Sequence, residues 1–134
     1  MYKIMKKCKI PDGMPLLMDF QRLVYDEHAQ LTITLEANTV QIYSICFEWC
    51  HTFRMIDEGD LFVSFRSQDI IGLFPWPILE VQDSDYIKWF HQVSSNIHSS
   101  EMMNHFFVST NNEIIEVVSS VSPQITKLSL TCPR

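Results

Sequence analysis

Glycine is scarce in this chain. Gly13, Gly59 and Gly72 are the three in 134 residues, and each stands alone. Loops that cradle phosphate need clustered glycines, so that successive backbone N–H groups can approach the anion. A nucleotide-binding loop is therefore excluded. No serine sits in a G-x-S-x-G elbow, which removes the signature of an α/β-hydrolase nucleophile. No apolar run approaches the length of a membrane span. The basic start reaches Cys8, Ile10, Pro11, Asp12 and Gly13 without the apolar stretch of a secretory leader. Cysteine is dilute as well: Cys8, Cys46, Cys50 and Cys132 are even in number but too few for a stapled secreted scaffold. These absences predict a cytoplasmic protein with no membrane association, whose free thiols pack as small hydrophobes.

What is present describes a globular protein. At 134 residues and 46% hydrophobic, the chain is long enough to bury its own core, so a single domain over 1–134 is expected. Residues 1–12 form a basic, loosely ordered start. The formal charge is −6, but Lys3, Lys6, Lys7 and Lys9 carry +4 with no acid among the first nine residues, which leaves −10 for the rest. An acidic body repels phosphate backbones, so nucleic acid is not the expected partner, and a basic protein is.

Leu31, Ile33 and Leu35 alternate with Thr32, Thr34 and Glu36, the period of a half-buried strand. Ala37-Asn38-Thr39 reads as a turn. Val40 to Phe53 then reads as one long, bent strand, being β-branched and aromatic. Asp57-Glu58-Gly59-Asp60 forms an acidic hairpin tip, after which Leu61 to Arg66 pairs back. Met14 to Val24 fits a short helix or an irregular strand. Phe74-Pro75-Trp76-Pro77 must be extended, because each proline fixes φ and biases its predecessor away from helix. A short strand follows at Ile78 to Val81. Asp83 or Ser84 then caps one principal helix over about 84–98, with Asp85 in its first turn. Tyr86, Trp89, Phe90, Val93 and Ile97 form its buried stripe. A hairpin turning at Asn111-Asn112 and a last segment at Ile125 to Leu130 complete the chain. The fold class is mainly β (α+β by content): an antiparallel β-sandwich or strongly curved sheet with one helix on a face or end.

Several residues invite chemical readings. Cys46, Cys50 and His51 resemble metal ligands, but on one strand the two sulfurs would lie about 13 Å apart, far from what Zn–S bonds of about 2.3 Å require. His91, His98 and His105 are spaced by seven, about 10.5 Å per step on a helix, and read as unrelated surface or rim histidines. No metal and no cofactor are expected. A Cys50 nucleophile with His28 or His105 is conceivable, but nothing selects the pair. The chain therefore reads as a non-enzyme. Asp57, Glu58 and Asp60 fit a solvated turn, a turn pinned by Arg54, or an acidic docking tip. Trp76, rigid between two prolines, suits either a plug for one end of the core or an interface anchor.

The run Phe53-Arg54-Met55-Ile56-Asp57-Glu58-Gly59-Asp60-Leu61, followed by Tyr86-Ile87-Lys88-Trp89-Phe90-His91 and by His105-Phe106-Phe107-Val108, resembles small bacterial proteins of the immunity type. These are the partners of toxins in toxin–immunity and contact-dependent growth inhibition systems. The likeness covers roughly residues 31–120. It implies a protein that binds a basic toxin domain, such as a nuclease, and occludes its cationic cleft. Asp57, Glu58 and Asp60 would supply the charge, Asp83 and Asp85 would add to it, and Trp76 would anchor the contact. The competing expectations are a small-ligand-binding β domain or enzyme of unrecognised type, with a pocket lined by Trp49, Phe53 or Phe65, and a structural subunit of a larger assembly.

Overall fold

Strand-forming alternation builds most of this molecule. The computed structural model describes residues 4–37, 41–57, 76–98 and 100–128. Among them are nine strands and one helix: β1 (Ile4–Lys7), β2 (Asp19–Tyr25), β3 (Leu31–Ala37), β4 (Gln41–Phe47), β5 (Cys50–Asp57), β6 (Ile78–Gln82), α1 (Asp85–Val93), β7 (Asn104–Ser109), β8 (Glu113–Ser119) and β9 (Gln124–Leu128). They form two antiparallel sheets, ordered β1-β6-β7-β8-β5 and β2-β3-β4-β9. The β-rich, antiparallel, one-helix architecture read from the sequence is the one observed.

The two sheets face each other across the main core. Leu31, Ile33 and Leu35 from β3 and Tyr43, Ile45 and Phe47 from β4 meet Ile78, Phe106, Val108, Ile115 and Val117 from the other sheet. Burying such side chains is worth about 1.5–3 kcal/mol each. The five-stranded sheet is also covered on its outer face, where Met5, Leu79, Val81, Phe107 and Ile114 pack together with Trp76. β8 is consequently buried along nearly its whole length, Glu116 included.

Several local expectations need correction. Val40 to Phe53 is not one strand: the chain turns a corner at Glu48-Trp49, so that β4 and β5 lie in different sheets. Trp49 makes that corner with φ of 55°, a conformation disfavoured for a bulky residue. β5 pairs with β8, Asp57 opposite Glu113; Glu58, Asp60 and the strand expected at Leu61 to Arg66 lie outside the described residues. Met14 to Val24 resolves into core methionines, Met14 and Met18, leading into β2. The basic start is partly built in, because Ile4–Lys7 pairs along β6 as an edge strand whose lysines discourage further pairing. The β7–β8 hairpin forms, but Asn111 and Asn112 do not take positive φ. The Thr110 hydroxyl closes the turn instead, accepting from the N–H of Glu113 at 2.9 Å.

The helix is shorter than expected, and its apolar stripe is not buried. Tyr86 is buried and Phe90 half-buried, whereas Trp89, Val93 and Ile97 are 48%, 59% and 73% exposed. α1 lies against the sheet through Tyr86 in its first turn and Phe90 in its second, and leaves Trp89, Val93 and the following Ile97 outward.

Candidate functional site

α1 joins two histidine–glutamate assemblies, one at each end. At its N-terminus the Ser84 hydroxyl caps the helix, accepting from the Ile87 N–H at 3.0 Å, and lies 2.7 Å from His105 Nδ1. His105 Nε2 is 2.8 Å from a Glu116 carboxylate oxygen. Glu116 can only accept when ionised, so His105 Nε2 carries a proton towards it. Arg54 completes the assembly, forking onto Glu116 through Nε at 2.8 Å and a terminal nitrogen at 3.1 Å. Its guanidinium lies 4.0 Å over the Tyr86 ring, whose hydroxyl is 3.0 Å from Thr52 Oγ1. Burial alone would raise the Glu116 carboxyl, but hydrogen bonds from His105 and Arg54 outweigh it and hold the group below its ordinary range.

Serine, histidine and glutamate in line suggest a catalytic triad, but the geometry is that of a structural clamp. His105 and Glu116 are 0% and 1% exposed, and Ser84 is already engaged as a cap. A carboxylate gripped by Arg54 thus belongs to β8, a partner remote in sequence.

At the far end of α1 the chain turns through Ser95 and Asn96, both with positive φ, and brings His98 and Glu101 back towards β5. There His51 is the extra residue of a β-bulge, since Cys50 pairs with Ser119 and Thr52 with Val118. A bulge re-aims the side chain it releases. His51 Nε2 lies 2.8 Å from Ser120 Oγ and 3.6 Å from Glu101. His98 Nδ1 bonds the other Glu101 oxygen at 2.6 Å. The two imidazole rings are 5.3 Å apart, and Phe90 stacks on His98 at 5.6 Å. Potential ligand atoms of His51, His98 and Glu101 all fall within 4.8 Å of one another. His91, at the end of α1, has a buried Nδ1 with no hydrogen-bond partner among the described residues. Burial lowers the His51 pKa, Glu101 partly restores it, and His98 and His91 lower it further, so the neutral imidazole is favoured.

The residues singled out from sequence are dispersed. Asp57 ends β5, and Glu58 and Asp60 lie outside the described residues. Asp83 and Asp85 are exposed and bracket Lys88 at 3.0 and 3.7 Å. Trp76 donates its indole N–H to the Cys8 carbonyl at 2.8 Å and packs on the outer core with Lys7 over its ring, the position of a plug. His105, expected at the surface or rim, is fully buried. Burial pushes the Cys50 thiol up to about 12, which removes it as a nucleophile near neutral pH. His28 stands exposed beside Glu27, and both His105 nitrogens are engaged, so neither serves Cys50 as a base. The separation argued for Cys46 and Cys50 assumed one strand, but the corner places them in different sheets. Trp49 is exposed, Phe53 packs on the main core, and Phe65 lies outside the described residues. A cleft of about 310 Å³ lies elsewhere, lined by Lys6, Lys7, Cys8, Lys9, Glu80 and Phe106 among others.

The histidine cluster was missed by sequence reasoning. Its one local signal is His98 three residues before Glu101; the bulge that delivers His51 leaves no mark in the hydrophobic pattern. No helix of the described residues is long and apolar enough to cross a membrane. Comparison of the chain with family models, with curated proteins and with solved structures finds no match.

Proposed function

We propose that this chain is a non-catalytic, cytoplasmic binding module of the immunity type, which engages a basic toxin domain. The observation that carries the reading is the outward apolar face of α1. Trp89 and Val93, four residues apart, are neighbours on one face of the helix, and both are about half or more exposed. Tryptophan set on a rigid support is the typical interface anchor. Here the support is Tyr86, which stacks on Trp89 at 5.7 Å and is itself clamped by Arg54. Asp83 and Asp85 stand at the start of the same helix, and the body beyond residue 9 carries −10. Charge of this sign would speed encounter with a cationic cleft, and the aromatic anchor would slow release. On this reading the anchor is Trp89, and Trp76 serves the fold.

An immunity protein of this kind is encoded beside its toxin, which makes the test direct. The neighbouring gene product is expressed with this chain or with a Trp89→Glu/Val93→Ser variant, and growth is followed. The wild-type chain should rescue growth, and the folded variant should not. Loss of an anchoring tryptophan costs about 2 kcal/mol or more in binding, roughly a 30-fold weaker Kd. Full rescue by the variant, or a neighbour that does not inhibit growth, would end this reading.

A further inference from the structure

We propose that His51, His98 and Glu101 form a binding site for one divalent transition-metal ion of the Zn2+ class. Two imidazoles and one carboxylate are an established donor set for Zn2+, with bonds of about 2.0–2.2 Å. Tetrahedral geometry at that length separates ligand atoms by about 3.3 Å. The observed separations, from 2.6 Å for His98–Glu101 to at most 4.8 Å across the set, bracket this value. Small adjustments of these partly exposed side chains would satisfy it. Nitrogen donors favour Zn2+, Co2+, Ni2+ or Cu2+ over Mg2+ and Ca2+, which prefer oxygen.

Three further observations support the site. The three residues come from separate places, β5 and the turn after α1, and reach each other through a β-bulge and two consecutive non-glycine residues at positive φ. Backbone of this kind persists where surrounding structure demands it. Phe90 lies against both imidazoles, which limits water on one side of the cluster. His91 presents a buried, unpartnered Nδ1 at the adjoining helix end, close enough to influence both His51 and Glu101 electrostatically. Such an atom would be satisfied by a water bound to the metal. The ion would cross-link β5 to the segment that carries the outward face of α1. The site does not depend on that face binding a toxin.

The test is calorimetric titration of chelator-stripped protein with Zn2+ alone, alongside the absorption spectrum with Co2+. One ion per chain should bind, and the Co2+ spectrum should lack the intense thiolate charge-transfer band. Removing even an outer-shell partner weakens metal affinity 10–100-fold, so His98→Ala and Glu101→Gln should each weaken it by about 100-fold or more. His28→Ala, at the exposed histidine beside Glu27, should leave it unchanged. Glu101 is on the surface, so its variant should fold, as circular dichroism will confirm. The proposal is overturned by absence of saturable binding, by unaltered affinity in both ligand variants, or by a thiolate band assigning the ion to cysteine.

Discussion

His105–Glu116 and His98–Glu101 are the same chemical pair in two settings, one at each end of α1. The first is sealed: both imidazole nitrogens are bonded, the carboxylate takes Arg54 as well, and neither residue reaches water. The second is open: its members are half-buried or exposed, its contacts spread from 2.6 to 3.6 Å, and a neighbouring imidazole nitrogen has no hydrogen-bond partner among the described residues. A buried pair with every lone pair and proton engaged is costly to break and offers nothing to a ligand. A partly exposed pair on strained backbone contributes little to stability and remains free to bind. Residue type alone does not separate a strut from a site; the completeness of the surrounding hydrogen bonds does.

The contrast can be broken at the sealed end first. Glu116→Ala leaves a buried imidazole and a guanidinium without their anion, a class of change that costs about 3–5 kcal/mol. Arg54 is 44% exposed and can turn to water, so a loss near 3 kcal/mol is expected, read from the midpoint of urea unfolding. A loss under about 1 kcal/mol would show that the clamp does not hold the helix.

Acid should act on the sealed end next. The Glu116 carboxyl is held below its ordinary value, so the folded state binds fewer protons than the unfolded chain in that range. Its contribution is present above the unfolded carboxylate value of about 4.3 and fades as pH falls through the depressed folded value. Unfolding free energy measured against pH should therefore decline below about pH 4.5, and Glu116→Gln should flatten that limb. An unchanged limb in the variant would assign acid sensitivity to other carboxylates.

The smallest effect belongs to the open end. Glu101 is exposed, and in metal-free protein Glu101→Gln should leave the urea-unfolding midpoint nearly unchanged. A cost comparable with that of Glu116→Ala would make the second pair a strut too.

Legibility in the sequence followed burial. Leu31, Ile33 and Leu35 declared their strand because one face meets the core and the other does not. The helix start, read at Asp83 or Ser84 and made by Ser84, was legible because a cap is a local event. The β4–β5 corner stayed hidden, since it is made by an unfavourable φ at Trp49 where glycine would have announced a turn. Glu116, flanked by Ile115 and Val117, has the sequence signature of a solvent-facing strand residue, yet α1 and its clamp cover that face. Trp89, Val93 and Ile97 carry the spacing of a buried stripe, but α1 meets the sheet through Tyr86 and Phe90 and leaves these three outward. For the candidate sites, acidic residues were visible and their surroundings were not: Asp83 and Asp85 share Lys88, and His51 owes its aim to a bulge. The clamp at Glu116 and the histidine cluster rest on contacts between segments remote in the chain.

The Glu48-Trp49 corner also carries mechanical meaning. The Cys50 N–H bonds the Ala29 carbonyl at 2.8 Å, and the Ser120 N–H bonds the Trp49 carbonyl at 3.2 Å. The passage from β4 to β5 and the passage from β8 to β9 thus run against each other, with the β2–β3 loop tied to the same spot. Both layers are sewn at one point on the rim, and Ser120 reaches from that seam to His51. A ligand seated on His51 would tighten the stitching of the whole sandwich, and prising the layers apart would have to begin elsewhere.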